Sequence, residues 1–304
     1  MSSAISTPSS GRLQGVVAAM LTPMREGGTR VDLEATARLT AWLVDRGLHG
    51  LFIAGTTGEG LYLTPEEHRD LTRAVVRAAR GIPVVTHVGA LTTTQAVILA
   101  RQAAQAAATA VAAIPPCYYS MTRAELLAYF RAVSAAADPL PVYLYNIPSH
   151  ARNDLSPALV REIRDMVPRI AGIKDSSGFP GRIADLVQTL GPDFAVVCGS
   201  DETDLGAFQD GAAGVVSSGA GVFPELYLEL YEAWKAGRLA QAQAAQARIV
   251  AMQNALGDGA RLGWYKYVLK ERGVPVGGVR APMQDPSRAD IDGIDKSLKE
   301  LKLL

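Results

Sequence analysis

The chain has 304 residues, 48% of them hydrophobic, 20% charged and 6% aromatic, with 30 basic side chains balanced by 30 acidic ones. That length and apolar content can bury a large core, in one big domain or two ordinary ones, and exclude global disorder. Zero net charge with no run of like charges gives no electrostatic footprint for nucleic acid or an anionic membrane surface, so the expected partners are small molecules or other proteins.

Residues 1–14 are rich in Ser and Thr and lack the cationic start and apolar stretch of a secretory signal, so a disordered tail is expected there. Beyond it, short runs rich in Val, Ile and Leu alternate with longer stretches of helical period. The runs are 16–20, 50–54, 83–87, 110–114, 141–145, 170–174, 195–198 and 214–217. Helix-start chemistry lies between them. Thr64, Thr92 and Thr122 are each followed three positions on by Glu67, Gln95 and Glu125, and Ser156 is followed by Pro157.

Runs apolar on both faces, alternating with helices, indicate a parallel sheet covered on both sides. Eight such units in about 210 residues predict an α/β fold, a (β/α)8 TIM barrel over 15–223, a fold typically of ~250 residues. A doubly wound dinucleotide fold is the competitor. Against it, the first run leads into Leu21-Thr22-Pro23-Met24, with no glycine-rich turn opening a helix. Residues 224–304 read as a C-terminal helical extension packed on the barrel, because no flexible linker intervenes.

No apolar stretch reaches the roughly 18 to 20 residues of a membrane helix. Cys117 and Cys198 are too few and too isolated for a disulfide framework, which fits a soluble cytoplasmic protein.

In such a barrel, reactive groups sit where strands end. Lysine usage narrows the search, because the chain has 23 Arg against 7 Lys, and Lys174 is the only lysine among the first 234 residues. It ends the apolar stretch Ile170-Ala171-Gly172-Ile173. Burial disfavours an ammonium, and a free amine attacks ketones. The bland alternative is an ion pair with Asp175. Tyr145 ends the preceding run, where its phenol could lie beside the amine and carry a proton; an ordinary strand aromatic is the other reading. Thr56 and Thr57, between two glycines, offer hydroxyl and backbone N–H groups to a carboxylate, or form a plain turn.

Other chemistries find little support. His49, His68, His87 and His150 lack metal-ligand spacing, so no metal is expected. No G-x-S-x-G elbow and no Walker lysine are present.

Gly55-Thr56-Thr57-Gly58-Glu59, Tyr145-Asn146-Ile147-Pro148 and Gly172-Ile173-Lys174-Asp175, in that order on a barrel-length chain, resemble the dihydrodipicolinate synthase and N-acetylneuraminate lyase family of pyruvate-dependent class I aldolases. The resemblance runs from about residue 15 to the C-terminal helices. It implies that Lys174 forms a Schiff base with a 2-oxo acid such as pyruvate, with no separate cofactor. It also implies that Tyr145 is the acid/base, and that Thr56 relays its proton to Tyr118, a phenol the family supplies from a neighbouring subunit. Thr57 would hold the substrate carboxylate. A homo-oligomer, a dimer of dimers, follows from the same resemblance.

For the second substrate, Gly199, Asp201 and Glu202, with Ser176 and Ser218, are similar to the sialic-acid lyase pattern that binds a sugar polyol, and Gly58-Glu59-Gly60-Leu61 leans the same way. The reading is therefore a lyase or aldolase acting on N-acetylneuraminate or a related keto-deoxy sugar acid. The alternative is 4-hydroxy-tetrahydrodipicolinate synthase, which condenses pyruvate with aspartate-semialdehyde, or a dehydratase of the family. The synthases carry an arginine where this chain has His150, and Arg152 is a candidate for the missing charge. A catalytically idle sugar-acid-binding barrel is a third class; its signature, loss of Lys174 or Tyr145, is not present.

Overall fold

The computed structural model describes residues 12–304, so the expected tail before residue 12 lies outside the described residues. Eight parallel strands close into a barrel in chain order: β1 (Gly15–Ala19), β2 (Gly50–Ile53), β3 (Val84–His87), β4 (Ala110–Ala113), β5 (Val142–Asn146), β6 (Ile170–Asp175), β7 (Ala195–Cys198) and β8 (Gly214–Ser217), with β8 paired to β1. Every expected run is one of these strands, within one residue at either end.

The alternation within each run explains the closure. Val17, Ala19, Phe52, Val85, Ala110, Ala112, Tyr143, Ala195, Val197 and Val216 pack together as the filling of the ring. Val16, Ala18, Leu51, Ile53, Val111, Leu144 and Val215 join the layer under the helices. Leu13 is buried with the inner set, and its backbone N–H donates to the Tyr143 hydroxyl at 2.8 Å. The packed structure thus starts earlier than residue 15, because Leu13 plugs one end of the ring.

Eight helices surround the barrel: α1 (Leu33–Asp45), α2 (Pro65–Ala78), α3 (Thr93–Gln105), α4 (Arg123–Ala136), α5 (Pro157–Met166), α6 (Arg182–Leu190), α7 (Asp204–Gln209) and α8 (Pro224–Lys235). Thr64 with Glu67 and Thr122 with Glu125 form reciprocal capping boxes. Thr92 and Ser156 accept from the Gln95 and Leu159 N–H groups. The boundary expected at 223/224 falls one helix early. Helix α8 packs against β1, and its Leu226, Tyr227 and Leu230 cover Val16 and Ala18; it is the ring's eighth helix. The extension is α9 (Leu239–Ala255), α10 (Leu262–Glu271) and α11 (Arg288–Glu300).

One irregularity sets the register of the site. Val142 pairs with Ile170, but Tyr143 pairs with Gly172, so Ala171 is an extra residue bulged out of the β5–β6 ladder. Beyond the bulge Tyr145 faces Lys174 and Asn146 faces Asp175.

Candidate active site

Lys174 is 5% exposed, near the end of β6. Its Nζ lies 3.4 Å from the Tyr145 hydroxyl and 4.8 Å from the centre of the Phe52 ring. The Tyr145 hydroxyl is in turn 3.3 Å from Thr56 Oγ1. Amine, phenol and threonine hydroxyl thus form a continuous chain from the barrel interior to its mouth. Asp175 does not pair with Lys174, because successive strand residues point to opposite faces. Its carboxylate instead accepts from Asn146 Nδ2 at 2.8 Å and from the Ser177 hydroxyl at 2.5 Å. Asn146 also donates to Asp154, which Arg182 grips with two bonds of 2.9 and 3.0 Å.

His87 stands edge-on to Tyr145, with ring centres 5.8 Å apart. Its Nδ1–H donates to the Ala54 carbonyl at 3.2 Å and its Nε2 accepts the Ile114 N–H at 3.3 Å. Burial, with His68 nearby, pushes its pKa down to about 3. Both nitrogens are committed to the backbone. No group of three or more His, Cys, Asp or Glu among the described residues is arranged to hold a metal.

A cavity of about 360 Å³ opens over Lys174. Thr56, Thr57, Tyr145, Ser176, Gly199, Asp201, Glu202 and Ser218 line it with the lysine. Tyr118 does not. It is 71% exposed, has a left-handed backbone at φ 79°, and leans edge-on against Tyr119. Arg152, the other candidate cation, is also outside the lining. It caps the short helix Pro148–Ala151 with φ 59°, and its side chain is exposed. His150 does line the cavity.

The lysine end is tightly built. Ser176 Oγ is buried without a hydrogen-bond partner. Gly199 packs against it so closely that a Cβ there would lie 2.1 Å from that oxygen and 2.7 Å from Lys174 Cε. On the opposite side, the Thr56–Thr57 turn is pinned by Thr22, whose hydroxyl donates to the Gly58 carbonyl at 2.6 Å. Glu59 differs from its sequence reading. Its carboxylate is fully enclosed, taking Lys266 Nζ at 2.6 Å and the Arg280 N–H at 2.8 Å. It anchors the turn to α10 and offers nothing to the cavity's second substrate.

At the far end the extension contributes residues that the sequence reading missed. Asp258, Gly259 and Ala260, in the loop between α9 and α10, line the cavity beside Asp201 and Ser218. Asp201 accepts from Gln253 Nε2, and its own carbonyl accepts from Gln246 Nε2 at 2.7 Å. Burial pushes the Asp201 pKa up to about 6, against the pull of Ser217, Tyr227 and the Lys174 charge. Asp204, beneath it, is also pushed well up, by burial and by Asp201 itself. Nothing in the local sequence of 258–260 marks it as part of a site, since only the packing of α9 and α10 brings it to the mouth. No helix among the described residues is long and apolar enough to cross a membrane.

Comparison with known proteins places this geometry. The Dihydrodipicolinate synthetase family model matches residues 12–301. The 4-hydroxy-tetrahydrodipicolinate synthase of Roseobacter denitrificans is 35% identical over 283 residues, covering 92% of this chain and 96% of that one. YagE, a prophage protein of E. coli K12 solved in complex with pyruvate, superposes with a TM-score of 0.91 at 28% identity over 96% of this chain and 99% of its own. A catalytic lysine mutant of the Ruminococcus gnavus sialic acid aldolase also reaches 0.91 at 28% identity, covering 95% of each chain. Curated relatives thus carry the name of the condensing synthase, the second of the two substrate readings, whereas solved structures include both kinds of enzyme. The chain belongs to the dihydrodipicolinate synthetase family, and is a pyruvate-dependent class I enzyme that works through a Schiff base.

Proposed function

We propose that the protein reversibly cleaves a polyhydroxylated 2-oxo acid, N-acetylneuraminate or a related keto-deoxy sugar acid, to pyruvate and an aldehyde. Lys174 Nζ attacks the C2 keto carbon and water leaves, giving a protonated imine. Tyr145 moves the protons of that step, then takes the proton from the C4 hydroxyl as the C3–C4 bond breaks. The electron pair of that bond flows into the imine and leaves an enamine, which gains a proton at C3 and is hydrolysed to pyruvate and free Lys174. The imine is the electron sink, so this chemistry uses no cofactor. Thr57 and the neighbouring backbone N–H groups hold the substrate carboxylate, and Ser176, Asp201, Glu202 and Ser218 face its hydroxylated tail. Thr56 passes the proton of Tyr145 towards Tyr118 of a neighbouring copy in a homo-oligomer, a dimer of dimers.

The charge balance of the cavity is the observation that carries the substrate reading. Among the described residues, Lys174 is the only lysine or arginine lining it, while Asp201, Glu202 and Asp258 bring three carboxyl groups. Such a wall accepts hydrogen bonds from a neutral polyol, and it offers no fixed cation besides Lys174 to the carboxylate of aspartate-semialdehyde. Condensation of pyruvate with aspartate-semialdehyde is the second reading, favoured by the 35% identity to a protein of that name.

Two measurements test these readings. Borohydride trapping with pyruvate is expected to add a stable mass at Lys174; no adduct refutes the imine. Pyruvate release from a panel of keto-deoxy sugar acids, run beside condensation with aspartate-semialdehyde, is expected to favour release. Condensation alone refutes the polyol reading.

A further inference from the structure

Gln253, on α9, is 1% exposed and saturates both ends of its amide. Its Nε2 donates to the Asp201 carboxylate and to the Tyr227 hydroxyl, the latter at 3.1 Å. Its Oε1 accepts the Tyr265 hydroxyl of α10, and that phenol oxygen in turn accepts the Gly259 N–H at 2.9 Å. Two helical turns earlier on the same face of α9, Gln246 donates to the Asp201 carbonyl and accepts the Leu205 N–H at 2.8 Å. One helix of the extension therefore holds the backbone and the side chain of Asp201 and, through Tyr265, the loop at 257–260 that forms the facing wall. An amide suits this place because it offers a donor to a carboxylate and an acceptor to a phenol at once.

We infer that Gln253 is a positioning residue for substrate selection, holding Asp201 and the 257–260 loop in register so that the extension sets the preference for a hydroxylated tail. This rests on the polyol reading above. Without the amide, Asp201 loses a charge-assisted donor, and only Ser217 and Tyr227 are left to hold its carboxyl group in place.

The test compares cleavage of two 2-oxo acids bearing a 4-hydroxyl, one with a polyhydroxylated tail and one truncated after C4, with borohydride trapping of pyruvate as a control. Gln253→Met keeps the volume and removes both polar ends. It is expected to raise KM for the long substrate by about tenfold or more, the effect of losing one hydrogen bond to a charged group. KM for the truncated substrate, kcat for both and the yield of adduct at Lys174 are expected to stay unchanged. A parallel rise for both substrates, or no rise at all, overturns the inference. Tyr265→Phe, which removes only the hydroxyl, decides the matter if Gln253→Met does not fold: a selective rise in KM supports the inference and unchanged selectivity overturns it. If the wild-type protein itself shows no preference for the long substrate, the polyol reading falls and this inference with it. A wild-type preference that both variants retain removes the inference alone.

Discussion

Glu59 and Lys266 are separated by 207 positions in the chain, yet their carboxylate and ammonium meet at 2.6 Å with both side chains enclosed. The pair fastens the turn carrying Thr56 to α10, and Lys266 also donates to the Gly278 carbonyl at 2.7 Å. Burial pulls the lysine's pKa down and Glu59 pulls it back up. Breaking one half of a buried pair strands the other charge and costs about 3–5 kcal/mol. Glu59→Gln is therefore expected to lower the free energy of unfolding by that order, read from urea denaturation. The double variant Glu59→Gln with Lys266→Met, which buries no unpaired charge, is expected to recover most of the loss.

Gly199→Ala is expected to silence the enzyme without unfolding it. The new methyl group has to displace Ser176 Oγ or the Lys174 stem, and misplacing a reacting group by an ångström costs about a hundredfold in rate. Gly206→Ala in α7 is the control, since no heavy atom lies within 4 Å of its added carbon. That change is expected to leave kcat/KM intact and to stabilise the fold by about 0.5–1 kcal/mol. Steady-state kinetics and thermal melts separate the two outcomes.

Tyr145→Phe removes the phenol oxygen that lies 3.4 Å from Lys174 Nζ and 3.3 Å from Thr56 Oγ1. Loss of a positioned acid/base is expected to lower kcat by about 10²–10⁴-fold, while a slow pyruvate adduct at Lys174 remains detectable by mass. Activity within a few-fold of wild type would leave Tyr145 as packing alone.

His87 makes the fold sensitive to acid. Its pKa drops from 6.5 to about 3 on folding, so between those values the unfolded chain binds a proton that the native state refuses. Stability then falls as pH drops through that window, by up to about 1.4 kcal/mol per pH unit for one such group. His68, buried beside it and also shifted down, steepens the slope. Unfolding free energies measured across this range are expected to show the decline, and His87→Gln to flatten it by about one proton.

Much of this was legible in the sequence, for physical reasons that also mark where legibility stopped. A run buried on both faces declares itself in four or five residues, so all eight strands were found. Lys174 declared itself by rarity, as an amine in an apolar run. Helix α8 was misplaced because the period of a ring helix does not differ from that of the extension helices; only its contact with β1 tells them apart. Glu59 was misread and Gln253 went unread because their partners lie at positions 266 and 201, and long-range polar pairs leave no local pattern. The exposure of Arg152 is likewise decided by the turn it caps, not by its neighbours in the chain.

The bulge at Ala171 has a final consequence. Counting along β6 without it, Tyr145 would be matched with Ile173, and the parity of everything downstream would invert. Lys174 would then project among the greasy undersides of the helices, with Ile173 taking its place at the centre of the ring. A strand shortened by that one alanine would close into plain alternation with Lys174 still opposite Tyr145. The deletion is therefore expected to spare the nucleophile's facing, whereas forcing Ala171 into the pairing would turn it outward.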